Sequence, residues 1–138
     1  YVGLPLVLIA AVLWGIVLLK SRRRRHRRTS GSPDRRFALG YLELLDHARD
    51  LGKTVPGGRT RREQAHVVAM PGYMEMARAA DAGVFGAGDP TDADAEDYWG
   101  HVDAIRDGLA KGLSRWGRLR VAVNLASFPP LCKEHSTP

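Results

Sequence analysis

Eighteen residues, Val2 to Leu19, pass without a charge, and the chain then reads Lys20-Ser21-Arg22-Arg23-Arg24-Arg25-His26-Arg27-Arg28. As a helix the apolar run is roughly 27 Å long, close to the thickness of a bilayer's hydrocarbon core. Basic residues flanking a span are retained on the cytoplasmic side. The junction therefore predicts a transmembrane helix over 1–19, with Tyr1 outward and everything after Lys20 cytosolic. Lys20, Arg22, Arg23, Arg24, Arg25, Arg27 and Arg28 are the membrane-surface and topology residues of this reading. Pro5 falls in the first turn, where its missing N–H is harmless. Trp14 lies too deep for an interfacial belt.

The net charge of +6 and a pI near 10.0 suggest at first a nucleic-acid binder. The distribution argues otherwise. Residues 20–36 carry nine basic residues against Asp34, a local +8, so the remainder carries −2. Aromatic interleaving and a folded basic face are both missing, and no nucleic-acid partner is expected. The lipid bilayer is the expected partner, each Lys or Arg near an anionic leaflet adding about 1 kcal/mol. Cys132 is the single cysteine, so no intrachain disulfide forms, consistent with a reducing compartment. Positive charges follow the apolar run instead of preceding it, and no A-x-A-like cleavage site is present, which argues against a secretory signal. The chain is expected to be the last part of a longer protein; a short single-span protein is the alternative.

Residues 20–33 read as a basic juxtamembrane linker, because arginine repulsion and Thr29-Ser30-Gly31-Ser32-Pro33 both oppose packing. A helical cytosolic domain is expected over 34–125, with four helices. The first runs from Asp34 to Leu51, with Phe37, Tyr41, Leu44, Leu45 and Ala48 at spacings of three and four and Gly52 to end it. Thr60 and Glu63 make a capping box for a second helix reaching about Met70 and burying Ala65, Val68 and Ala69. A third spans Tyr73 to Phe85, its apolar side carrying Met74, Ala77, Ala80 and Val84. Thr91 caps the fourth, with Asp94 at N3, and this helix runs from Asp92 to about Val123. Its apolar face reads Tyr98, Val102, Ile105, Leu109, Gly112/Leu113, Trp116, Leu119, Val123, in steps of four and three as in a heptad seam. That seam is either the core stripe of the domain or a face for a protein partner or for self-association. The end of the same helix, around Trp116, can also rest on an anionic membrane surface. Residues 126–138 read as a disordered tail.

No catalytic or metal constellation converges by spacing. His47, His66 and His101 are isolated; Asp97/His101 and Asp103/Asp107 are four-residue intervals that helix-surface charge explains. Cys132 and His135 sit in a Pro-flanked tail with nothing to hold their geometry. No cofactor and no enzymatic activity are expected of this chain.

The phrase Tyr41-Leu42-Glu43-Leu44-Leu45-Asp46-His47-Ala48-Arg49-Asp50-Leu51-Gly52, followed by Val55-Pro56-Gly57-Gly58-Arg59-Thr60-Arg61-Arg62-Glu63-Gln64-Ala65, resembles a bacterial domain of unknown function. In that family the domain follows a transglutaminase-core domain in multi-span membrane proteins. Ala79-Ala80-Asp81-Ala82-Gly83-Val84-Phe85-Gly86 and Tyr98-Trp99 near the start of a long helix also fit, and the resemblance covers about residues 1–125. It implies an all-α cytoplasmic module after a last transmembrane helix, in the cell membrane, acting in anchoring, assembly or partner contact. The family's Cys-His-Asp machinery would lie before this span, and Cys132 does not match it.

Overall fold

The computed structural model describes residues 1–124. It holds six helices: α1 (Gly3–Thr29), α2 (Pro33–Asp50), α3 (Arg61–Val68), α4 (Tyr73–Phe85), α5 (Asp92–Lys111) and α6 (Arg115–Val123). No strand occurs among the described residues. The tail expected over 126–138, with Cys132 and His135, lies outside the described residues.

α1 is long and apolar enough to cross a membrane, and none of its residues is buried within the chain. The helix does not stop at the arginines. Where a loose linker is expected over 20–33, α1 continues to Thr29. Arginine is a good helix former, and carboxylates from α2 and α5 offset the repulsion on which the linker reading rests. Only Ser30 to Ser32 turn the chain. Gly31 takes φ +87°, and Pro33 is the first residue of α2, where its fixed φ suits a helix start.

α2 is the hub. Phe37, Tyr41, Leu44, Leu45 and Ala48 are all buried on it. It ends in a Schellman motif: the Gly52 N–H donates to the Arg49 carbonyl (2.9 Å) and the Lys53 N–H to the Ala48 carbonyl (3.0 Å), with Gly52 at φ +83°. α1 runs antiparallel to α2, since Lys20 meets Asp50 and Arg27 meets Glu43. α4 is also antiparallel, with Tyr73 near Leu44 and Gly83 against Phe37. α5 is parallel, with Arg36 reaching Asp92 and Arg106 reaching Glu43. α3 leans on α4.

Two stretches differ from expectation. α3 stops at Val68, because Ala69 enters the left-handed region (φ 52°) and becomes exposed. The helix expected from Asp92 to Val123 is divided at Gly112 to Ser114. Gly112 is a weak helix former, and the Ser114 hydroxyl accepts from the Gly117 N–H (3.1 Å), capping a new helix. Five helices therefore follow α1. On α4 the buried side is Tyr73, Met76, Ala77 and Ala80; Phe85 is exposed.

Four aromatic donors tie the elements together through backbone carbonyls. Tyr41 Oη donates to Arg61 O (2.7 Å), Tyr73 Oη to Leu44 O (2.8 Å), Tyr98 Oη to Met76 O (3.0 Å) and Trp99 Nε1 to Arg36 O (3.0 Å). Each buried hydroxyl or indole N–H is thus satisfied.

Glycine marks the closest approaches. A Cβ at Gly83 would lie 2.6 Å from the Phe37 ring, and one at Gly40 2.7 Å from the Tyr98 ring. Gly100 and Gly108, within α5, face open space. Gly83→Ala is therefore expected to lose about 1–3 kcal/mol to overpacking, whereas Gly100→Ala gains up to about 1 kcal/mol of helix propensity. Thermal unfolding of the two variants should move Tm in opposite directions.

Candidate functional site

The arginines beyond Lys20 do not present one uniform basic surface. At about 100° per residue a helix places positions 20, 23, 24, 27 and 28 on one side, and in α1 that side faces the rest of the chain. Arg22, Arg25 and His26 point away and are exposed.

The inward side meets acids at matched intervals. Lys20 Nζ donates to Asp50 Oδ2 (2.6 Å), and Arg27 Nη1 to Asp46 Oδ2 (2.6 Å) and Glu43 Oε2 (2.9 Å). Arg23 lies 3.6 Å from Asp46, and Arg24 3.7 Å from Asp103. Arg28 binds Asp103 (2.7 Å) and pairs with Glu96. The seam closes at Arg36, which donates to the Arg28 carbonyl at the end of α1 and to Asp92 and Glu96 on α5. From the other side, Arg106 of α5 donates to Glu43 (3.2 Å). Arg27, Glu43 and Asp46 keep 15, 7 and 6% of their side-chain surface. These are largely desolvated pairs, in the regime where losing one partner is costly.

A polar cavity of about 120 Å³ opens beside the seam, between Lys20, Arg24, His47, Asp50 and Arg106, with Val17 and Ala122 also on its wall. His47 Nε2, Asp50 Oδ1 and Arg106 Nε are buried without a protein partner. The space is polar and roomy enough for waters to serve them. Burial, then the cations Arg106, Lys20 and Arg24, lower the His47 imidazole to about 4. Burial and the neighbouring Arg24 also lower the Arg106 guanidinium. Hydrogen bonding from Arg28 holds Glu96 below the usual carboxylate range.

The other sequence-derived residues fall as follows. Thr60/Glu63 and Thr91/Asp94 both form reciprocal capping boxes. Tyr98 and Val102 are buried in the chain's own core, and Ile105 and Leu109 pack against it, so this stretch of the seam is a core stripe and offers no open partner face. Trp116 has left the stripe altogether: it stands on α6, 77% exposed. His101 Nδ1 is engaged by the Asp97 backbone carbonyl (2.8 Å), and Asp103 by arginine. Among the described residues no three His, Cys, Asp or Glu converge on a metal position. In sequence Asp103 reads only as helix-surface charge, and Glu43, Asp46 and Asp50 carry no reading of their own; the signal that links the latter three to α1 is that they fall on one helical face, as Lys20, Arg23 and Arg27 do.

A second charged feature lies at the far end of the body. Arg59, Arg61, Arg62 and Arg78 line an open groove, Asp81 binds Arg61 (2.9 Å) and Arg62 (3.3 Å), and the Arg61 guanidinium lies 5.8 Å from the Phe85 ring centroid.

Comparisons with protein-family models, curated proteins and solved structures find no match to the chain. The seam itself is a set of paired charges between α1, α2 and α5.

Asp46→Ala takes from desolvated Arg27 one of its two carboxylates and leaves it Glu43 alone, and about 1–3 kcal/mol of stability should be lost in detergent-solubilised protein unfolded by urea. Asp92→Asn, at a carboxylate side chain that is 85% exposed, should lose less than about 1 kcal/mol. His47 adds a pH dependence. Its folded value lies below its unfolded value of 6.5, so the stabilisation is complete above pH 6.5 and is lost as pH falls toward about 4. Between pH 6.5 and 5, above most carboxylate titrations, the wild type should lose stability while His47→Gln stays flat.

Proposed function

We propose that the chain is a non-catalytic, membrane-anchored helical module, held rigidly at the cytoplasmic face of the cell membrane with its N-terminal end outside. The observation that carries this reading is the ion-pair seam, which begins at the residue that ends the apolar run. A soluble protein's core helix would be covered by its own chain, and the apolar part of α1 is not. A cleaved leader has no reason to be paired, arginine by arginine, to the body that follows it.

The resemblance to the cytoplasmic domain of transglutaminase-like membrane proteins supports a role in anchoring, assembly or partner contact within a larger envelope protein. On that reading the body's task is to be presented at a fixed distance from the bilayer. A partner would meet its exterior, since Tyr98 and Val102 are used internally. The second reading, a short single-span protein that binds anionic lipid, is favoured by a specific feature: Arg22 and Arg25 remain exposed at the boundary.

Orientation is tested by cysteine accessibility. In intact cells a membrane-impermeant maleimide should label Tyr1→Cys (in a Cys132→Ser background) and leave native Cys132 unlabelled until the membrane is opened. Labelling of Cys132 in sealed cells reverses the topology. Release of the protein by carbonate washing removes the membrane reading.

A further inference from the structure

α6 has no interior role that its composition explains. It carries Arg115, Arg118 and Arg120, no acid, and two large apolar side chains in the open: Trp116, 77% exposed, and Leu119, 46% exposed. The four other helices of the body each bury apolar side chains; α6 buries none.

Its position supplies the explanation. Lys20 Nζ donates to the Val121 carbonyl (3.0 Å), and Asn124 Nδ2 donates to the Asp50 carbonyl (3.0 Å) at the end of α2. Ala122 shares a cavity wall with Val17, inside the apolar run. α6 therefore sits level with the last turn of the apolar helix, across the end of α2 that points back toward it. Gly117 and Val121 line the hollow against Asp50, Leu51 and Gly52. At about 100° per residue, exposed Trp116 and Leu119 form a ridge on the opposite side, continued by half-buried Val123, with Arg115 on one flank and Arg120, which also borders the hollow, on the other. An apolar ridge between cationic flanks is the pattern of a helix lying in a membrane interface, rings and aliphatic carbons among the upper acyl carbons and guanidinium groups at the phosphates.

We infer that α6 is an interfacial helix, which lays Trp116 and Leu119 into the anionic leaflet on the same side as the body. The occupant of this face is the bilayer in which α1 is anchored, and the inference rests on the membrane-spanning reading of α1. The arginine charge matches anionic phospholipid, and the level is continuous with the boundary at Lys20.

The test places an environment-sensitive fluorophore in the full chain, one copy per nanodisc of mixed phosphatidylcholine and phosphatidylglycerol. Three single-cysteine versions in a Cys132→Ser background carry it: Leu119→Cys, Leu8→Cys in the apolar run, and Phe85→Cys at the opposite end of the body. Expected is a label at 119 that is quenched by a spin label near the headgroup and is several-fold less accessible to iodide than the label at 85. Double reversal, Arg115→Glu with Arg120→Glu, should return position 119 to the accessibility of position 85. A label at 8 that is lipid-protected while 119 is as open as 85 overturns this inference and leaves the span intact. A label at 8 that is itself open removes the spanning reading, and this one with it. Protection at 119 from iodide with no quenching by lipid overturns it too, since protein and not lipid then covers the ridge. Protection that survives the charge reversal overturns the part assigned to arginine.

Discussion

The seating of α1 on α2 and α5 is set by one constraint: a helix dense in arginine has to lie against the body without leaving desolvated charge unpaired. Antiparallel packing meets it. Asp50, Asp46 and Glu43 descend α2 in steps of four and three while their partners Lys20, Arg23 and Arg27 ascend α1 in steps of three and four, one helical face on each. Glu96 and Asp103, seven apart on α5, receive Arg28 and, at the edge, Arg24. The Coulombic gain of such pairs is largely offset by their desolvation. Their stronger effect is on register. Sliding α1 by one turn would set Asp50 level with Val17 in one direction or Glu43 level with Ser30 in the other, leaving a desolvated carboxylate without its cation.

This arrangement divides a single sequence run between two tasks. The arginines that face inward carry the docking of the body; Arg22 and Arg25 face outward at the boundary. Counting charges along the run treats all of them alike, and only the helical period separates the two sets.

Much of the architecture was legible from local chemistry. The apolar run, both capping boxes, the Gly52 stop and the bounds of α4 follow from spacing and from residue types with one strong conformational preference. The failures share a cause. Reading residues 20–33 as a linker weighed repulsion within the run and ignored carboxylates more than a dozen residues away. Treating Asp92 to Val123 as one helix followed the apolar rhythm past Gly112 and Ser114, where a local cap outweighs the rhythm. The heptad pattern selects Tyr98 and leaves out Trp99, whose indole is wholly buried and bound to the α2 backbone. The seam was the least legible element, because ion pairing across helices depends on a packing angle that no single helix encodes.

The absence of a break between the apolar and basic halves of α1 has a mechanical consequence. Twenty-seven residues in one helix make a rod of about 40 Å, and the body is fastened along its lower half with no slack segment between. On the membrane-spanning reading proposed above, the upper half lies in lipid, and a change in the rod's inclination, as a thicker or thinner bilayer would impose, would swing the whole body as a lever arm. On that reading the displacement would be greatest at the far end of the body, where Phe85 and the arginine-lined groove lie.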